Sequence, residues 1–481
     1  GSDSTELMSK QPIKKLLSDP SLLKKIFPHD PLKFQTINPH NNQLLKTFDY
    51  DSSQKTDTII DNCEKAFKRM KNETLDHQLG KLKNLVKQLE KNKESLAQLI
   101  TLEMGKTITE SRAEIDRTNA IVDYYIENTK KFLEPKPMPD YGTFYNYVEH
   151  EPLGTVLHIT PWNLPLAVPL KSIIPCLAAG NPCILKPAPN VPQTSLLLQE
   201  CFIQAGFKDE FQLSFARTND IDQHISDPRV RYVIFTGSTP AGRKIGELCG
   251  KNVKRSLLEL GGSDPMLVLE DADAQKAIDH CVAGRIRANG QTCTSTKRVI
   301  VHDSLFDKVK NGLIEKLKAV PMGDPTKPET RLGPLARFDL FMKLNEQCKD
   351  YIEDYDYSID MGNYFKPLII DRPSVDSVAY KEELFGPTMS IFNRSTIDEM
   401  VELANDTNYG LSASCISNDV EKAKEILKRI DSGMACVNTS FTTHSSVPFG
   451  GSKDSGFGRA NSYFIFNEVT NMKSYTINKN L

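Results

Sequence analysis

From Gly154 onward the chain alternates between two periods, and that alternation limits its fold more than any other feature. "GTVLHIT" is a short, mostly apolar run, the pattern of a strand buried on both faces. Beyond Pro161, strand-like runs at 182–186, 211–216 and 231–236 are separated by helix-like runs at 166–179, 192–205 and 241–250. Parallel neighbours need a crossover, usually a helix, so this order predicts a doubly wound parallel sheet. A second alternation opens near Arg255 with "SLLELGG", "PMLVLE", a helix-like 272–287, "KRVIVH" and a helix-like 304–319. It continues with a strand-like 388–393 and helix-like stretches at 395–405 and 419–430. The fold class expected is therefore α/β, with parallel sheets wound on both faces.

Two regions break the pattern. Between Ser53 and Tyr125, segments such as "LGKLKNLVKQLEKNKESLAQLI" repeat apolar residues at three- and four-residue steps, as helices packed on a sheet do. "TFYNYVEHEP" alternates like an amphipathic strand around Phe144, Tyr145, Tyr147 and Val148, and the tail ends in "NMKSYTI", another such strand. A terminal strand is an edge that needs a partner. The expectation here is pairing with another subunit.

The bulk properties exclude more than they identify. The 481 residues suffice for two or three domains, and a net charge of −2 gives no bias towards nucleic acid or an anionic membrane. No apolar run from Lys10 to Lys33 is long enough for a signal peptide or membrane span. The 10 cysteines include no C-x-x-C pair and sit mostly in apolar surroundings, which suits a reducing compartment. Cytoplasm is the default location, with an organelle left open. The 9 histidines show no ligand spacing, so no metal is expected.

Three segments could carry chemistry. "ANGQTCTSTKR" sets Cys293 in a polar turn after a helix. A reactive cysteine needs a stabilised, accessible thiolate, an oxyanion donor and a base. "TPWNLP" holds Asn163 between prolines after a buried strand, and "LELGG" ends an apolar strand in Glu259. Burial there would push a carboxylate towards base duty. Taken singly, each is more often a core thiol, a turn residue or a structural carboxylate. The G-x-G-x-x-G fingerprint is absent; "FTGSTPAG" instead places Gly237 and Ser238 between a strand and a helix start, which suits a pyrophosphate as well as an ordinary turn.

Together, "TPWNLP", "AAGNPCILKPA", "FTGST", "LELGG", "GQTC", "EELFGP" and "PFGGSKDSGFGR" resemble, in order, the motifs of the aldehyde dehydrogenase superfamily, from about Ile37 to the C-terminus. The resemblance implies that Cys293 is the nucleophile, Glu259 the general base and Asn163 the side-chain oxyanion donor. It implies NAD or NADP as cofactor, held by Thr160, Pro161, Trp162, Lys186, Pro189, Gly237, Ser238, Leu260, Glu383 and Phe385. It also implies two sheet domains plus a small β extension that pairs subunits into a homodimer or homotetramer. The expected division is an N-terminal extension at 3–34, a cofactor domain at 35–130 and 152–256, a catalytic domain at 257–440, and the β extension at 131–151 and 460–481.

Departures from the family pattern sharpen the expectation. Where many NAD-using members carry a glutamate after the ribose lysine, this chain has Pro189, so NADP should be tolerated, with a preference for it left open. Where many carry a glutamate after "GFGR", it has Ala460, and Ser172 stands where a partner lysine is common. Lys171 and Thr443 fall where semialdehyde-oxidising members place an arginine and a serine. "KPAPNV" and "HISDPRV" also resemble the succinate-semialdehyde dehydrogenase branch. A cation with a hydroxyl suits the distal carboxylate of a short semialdehyde. A general aliphatic or aromatic aldehyde, and an inactive member kept for structure or binding, are the alternatives. An acylating reaction to coenzyme A is disfavoured by the presence of Glu259.

Overall fold

The computed structural model describes Ser21, residues 30–353 and residues 362–480. The expected N-terminal extension therefore lies mostly outside the described residues, as does Leu481 of the tail. The helical region forms four helices, Ser53–Met70, Leu75–Lys91, Lys93–Met104 and Ile108–Phe132. Three begin where the sequence supplies a cap: Ser52, Thr74 and Thr107 each accept a backbone N–H three residues on. Leu82, Leu85 and Leu89 form one fully buried stripe, each side chain contributing about 1.5–3 kcal/mol.

The first sheet runs in the order Gly456–Phe457, Arg255–Glu259, Val230–Thr236, Thr155–Ile159, Cys183–Lys186, Phe211–Leu213. All its pairs are parallel except that of the short Gly456–Phe457. Thr155–Ile159 is buried at every position, as a strand covered on both faces must be. From this central strand the chain winds outward through Cys183–Lys186 to Phe211–Leu213. It then crosses back to Val230–Thr236 on the other side. The switch point lies between Thr155–Ile159 and Val230–Thr236, and such crevices are where α/β sheets bind ligands. Asn163 follows one of these strands and Gly237 the other.

The second sheet is wholly parallel, in the order Leu368–Asp371, Thr388–Arg394, Thr296–His302, Asp264–Val268, Ser412–Ile416, Met434–Val437. The strand ending in Glu259, expected to open this second unit, belongs instead to the first sheet, hydrogen-bonded along Val230–Thr236. The chain thus crosses between the units at residues 260–263, past the expected boundary at 256/257. Residues 460–469, expected in the β extension, also pack elsewhere. Ile465, Phe466 and Val469 bury against the helices and strands of the first unit.

The extension is a three-stranded antiparallel sheet of Thr470–Asn478, Phe144–Pro152 and Lys136–Tyr141. The tail strand pairs within its own chain, from Thr470 opposite Pro152 to Asn478 opposite Phe144. One edge of the tail strand thus has its partner within the chain, and as the outermost strand of this sheet it keeps its other edge unpaired among the described residues. The alternating face satisfied by Tyr147 stacking on Tyr475 at 4.9 Å fixes the register locally. Among the described residues no helix is long and apolar enough to cross a membrane.

Candidate active site

The loop before Cys293 is bent into a shape few residues adopt. Ala288, Asn289 and Gly290 all have left-handed backbone angles, with φ of 49°, 58° and 82°. Gly290 adopts this freely and Asn289 tolerates it, whereas Ala288 does not favour it; a Cβ at Gly290 would collide with the backbone of Gly386 and Pro387. The surroundings impose the rest. Ala288 N donates to Glu110 Oε2 at 2.9 Å. Asn289 Nδ2 donates to the carbonyls of Gly105 and Pro334 at 2.8 and 2.9 Å, and its Oδ1 accepts from Gly333 N at 2.7 Å. Past the nucleophile, buried Lys297 donates to the carbonyls of Cys293 and Gly262 and to Glu383 Oε2. Strain held by this many buried bonds is a mark of functional loops.

Eight of the ten cysteines are buried; Cys293 and Cys436 are partly exposed. Burial nevertheless pushes the Cys293 thiol up to about 11, with Lys297 and Lys171 pulling it down and Glu383 and Glu259 opposing them. The thiolate is therefore scarce in the chain alone.

Asn163 is held at both ends of its amide. Nδ2 donates to Gln291 O at 3.0 Å, and Oδ1 accepts from Leu164 N at 3.1 Å. An amide nitrogen has two hydrogens, so one is left for a ligand. Glu259 is 2% exposed at the end of its strand. Its Oε2 accepts from Thr236 Oγ1 at 3.0 Å and pairs with Lys171 Nζ at 3.0 Å. Its Oε1 is buried with no hydrogen-bond partner among the described residues.

Cys293, Asn163, Glu259, Lys171 and Thr443 all line one cavity of about 370 Å³. Thr443 Oγ1 and Thr292 Oγ1 also lack partners there. Arg287 lines the same cavity, with Nη2 on Phe441 O at 3.1 Å. The sequence reading missed it because it passes for a cation at the end of a helix. Thr236 and Lys297 were missed as well, the first inside "FTGST" and the second among the cations after Cys293.

The residues matched to a dinucleotide gather around the switch point. Ser238 caps the helix Thr239–Lys251, its hydroxyl accepting from Ala241 N at 3.4 Å. Gly237 N donates to Glu259 O at 3.0 Å, and a Cβ at Gly237 would strike the Phe235 ring. Pro240 has no N–H, and Ala241 N and Gly242 N donate to Ser238, so the N–H groups of Ser238 and Thr239 are the ones this helix start offers to a pyrophosphate. Leu260 packs against Gly242 of the same helix, where a Cβ would collide with it. Thr160 and Trp162 are buried, and the Thr160 hydroxyl has no partner among the described residues. Pro161 lies between them.

Lys186 ends the next strand and is buried, which lowers its ammonium to about 8. Exposed Pro189 follows, with no carboxylate at its position. Glu383 reaches the Cys293 loop from the second unit. Its Oε2 accepts from Gly262 N at 2.7 Å as well as from Lys297, and Phe385 sits edge-on to Trp162 at 5.8 Å. An anion-ready helix start, a buried ammonium and an orphaned hydroxyl fit a phosphorylated dinucleotide.

The Aldehyde dehydrogenase family model matches residues 27–475. The succinate-semialdehyde dehydrogenase (NADP(+)) of Deinococcus radiodurans is 35% identical over 448 residues, spanning 92% of this chain and 94% of that one. The succinate semialdehyde dehydrogenase (NAD(P)+) of Escherichia coli is 33% identical over 447 residues, 91% of this chain and 96% of that one. Among solved structures, a succinic semialdehyde dehydrogenase from Streptococcus pyogenes in complex with NADP+ superposes with a TM-score of 0.89 at 32% identity, covering 92% of this chain and 100% of that chain.

Proposed function

The chain belongs to the aldehyde dehydrogenase family, and from that premise we propose that it oxidises a short aldehyde bearing a distal carboxylate, such as succinate semialdehyde, with NADP or NAD. The observation that carries this reading is the convergence of Cys293, Asn163 and Glu259 on one cavity.

The Cys293 thiolate adds to the aldehyde carbon, and the C=O electrons become an oxyanion. The free Asn163 amide hydrogen, with the Cys293 backbone N–H, is aimed at that charge. When bound, the cofactor supplies the hydride acceptor that turns the adduct into a thioester. Thr160, Trp162, Lys186, Gly237, Ser238, Leu260, Glu383 and Phe385 would hold it. Glu259 then takes a proton from water at Oε1 while the water oxygen bonds to the thioester carbon. The C–S bond breaks, the acid leaves and Cys293 recovers its electron pair.

Arg287 and Thr443 support the distal carboxylate. Arg287 offers a fork of N–H donors and Thr443 an unpartnered hydroxyl in the same cavity. Lys171, matched to this role in the sequence, is engaged by Glu259 instead. Pro189 supports NADP, since no carboxylate there repels a 2′-phosphate. Similar proteins named as NADP(+) or NAD(P)+ enzymes point the same way.

The test is a purified-enzyme screen of succinate semialdehyde and butanal, each with NAD and with NADP. Succinate semialdehyde should have the higher kcat/KM, by roughly tenfold or more for a charge-assisted contact, and NADP should match or exceed NAD. A preference for butanal sinks the substrate assignment. A hundredfold preference for NAD sinks the cofactor assignment.

A further inference from the structure

We infer that Lys171 is a positioning residue for the base, Glu259, and not a receptor for the substrate carboxylate. This rests on the reading of Glu259 as the base. Lys171 Nζ lies 3.0 Å from Glu259 Oε2, with side-chain exposures of only 12% and 3%. The same oxygen accepts from Thr236 Oγ1 at 3.0 Å. One hydrogen bond and one ion pair on Oε2 orient the carboxylate and leave Oε1 as the oxygen with no partner among the described residues.

The ammonium is itself anchored. Its Nζ sits 4.0 Å from the centroid of the Phe449 ring, a cation–π contact in a poorly solvated site. The helix Ala167–Ala178, on which Lys171 rides, is pinned at its start by Glu114. The Glu114 Oε2 atom accepts from Leu166 N and Ala167 N at 2.8 and 3.0 Å, and buried Lys106 pairs with its other oxygen at 2.5 Å. The Lys171 ammonium is therefore held between Glu259 and the Phe449 ring, on a helix whose start is fixed by Glu114. A pair this sheltered is screened much less than one on the surface. A substrate carboxylate would have to share the Lys171 charge with a buried anion 3.0 Å away.

Two buried positions complete the argument. Ala460 offers no carboxylate, and the Ser172 hydroxyl is engaged by His158 Nδ1 at 2.9 Å and Pro169 O at 3.1 Å. The base is thus steadied by Lys171 and Thr236. During deacylation the proton moves from water to Glu259 Oε1 and the water oxygen to the thioester carbon. Lys171 takes no part in that transfer.

The experiment separates acylation from turnover in Lys171→Met and Lys171→Arg, each with succinate semialdehyde and with butanal. The burst of reduced cofactor reads acylation, and the steady rate reads deacylation. Lys171→Met should keep the burst within about threefold and lose about tenfold or more of the steady rate with both aldehydes alike, and both KM values should fall together because KM follows the slowed deacylation step. Acyl-enzyme on Cys293 should accumulate by intact-protein mass spectrometry, and Lys171→Arg should recover part of the rate. A tenfold rise in KM for succinate semialdehyde alone would make Lys171 a substrate receptor and overturn the inference. So would an unchanged steady rate.

Burst amplitude counts folded sites, and if Lys171→Met yields none, Lys171→Arg is read alone by the same split. Glu259→Gln is run beside them. If it still turns over, the assignment of the base fails. If it stops after the burst while Lys171→Met does not slow, only the role of Lys171 fails.

Discussion

The two sides of the pocket are held by different means. The nucleophile's loop is fixed through backbone: Ala288 N on Glu110, three bonds to the Asn289 side chain, and Lys297 on the Cys293 carbonyl. The base is fixed through side chains alone, Thr236 and Lys171, at the open end of a strand. A loop set by backbone can shift only if its supports fail together. A carboxylate set by two side chains can be re-aimed by one substitution. The fold therefore dictates where bond formation happens and leaves the timing of hydrolysis to a few exchangeable contacts.

The sharpest test of the backbone-set side is Asn163→Ala, which removes an oxyanion donor and leaves the loop intact. It should lower kcat/KM by roughly 10²–10³ with cofactor affinity unchanged. A fall of less than tenfold would place the oxyanion elsewhere.

Asn289→Ala strips three buried hydrogen bonds from the loop and should cost about 2–4 kcal/mol in denaturant unfolding, with a smaller burst from the folded fraction. A cost under 1 kcal/mol would mean that Glu110 and Gly290 hold the loop without it, and the contrast between the two sides would weaken.

The third test is pH. Burial favours the neutral thiol of Cys293, so the thiolate appears as pH rises and is complete only above about 11. In the chain without cofactor, alkylation of Cys293 should climb about tenfold per pH unit from 7 to 10. A plateau below pH 8 would break this account of the nucleophile. The smallest effect belongs to Thr443→Val, which should raise KM for succinate semialdehyde severalfold, about 1 kcal/mol, and leave butanal unaffected.

Much of this was legible beforehand, for physical reasons. Parallel strands buried on both faces are unbroken apolar runs, so "GTVLHIT" and "KRVIVH" announced themselves. Ser412–Ile416 did not: "SASCI" is fully buried yet made of small residues with neither alternation nor bulk. The two-residue strand Gly456–Phe457 is set by a partner two hundred residues away, beyond any local signal. Motif order marked Cys293, Asn163 and Glu259 correctly as neighbours on one cavity. Local reading could not tell which cations face it, because "RIRANG" and "TSTKR" look like ordinary polar ends. Lys171 shows the converse limit: sequence placed it in the pocket, but only geometry shows which anion it holds.

The strand Thr470–Asn478 also bears on how the molecule comes into being. It lies along Phe144–Pro152, which runs almost directly into the central strand of the first sheet, and Thr470 Oγ1 meets His150 Nδ1 at 2.8 Å across 320 positions of sequence. A contact so distant cannot form until residue 470 has left the ribosome. Until then the hairpin at 136–152 keeps an open edge while the two large sheets are still being made. That edge is exposed to misassembly for the duration, so factors that slow late elongation should lower the yield of this protein more than factors that slow its start.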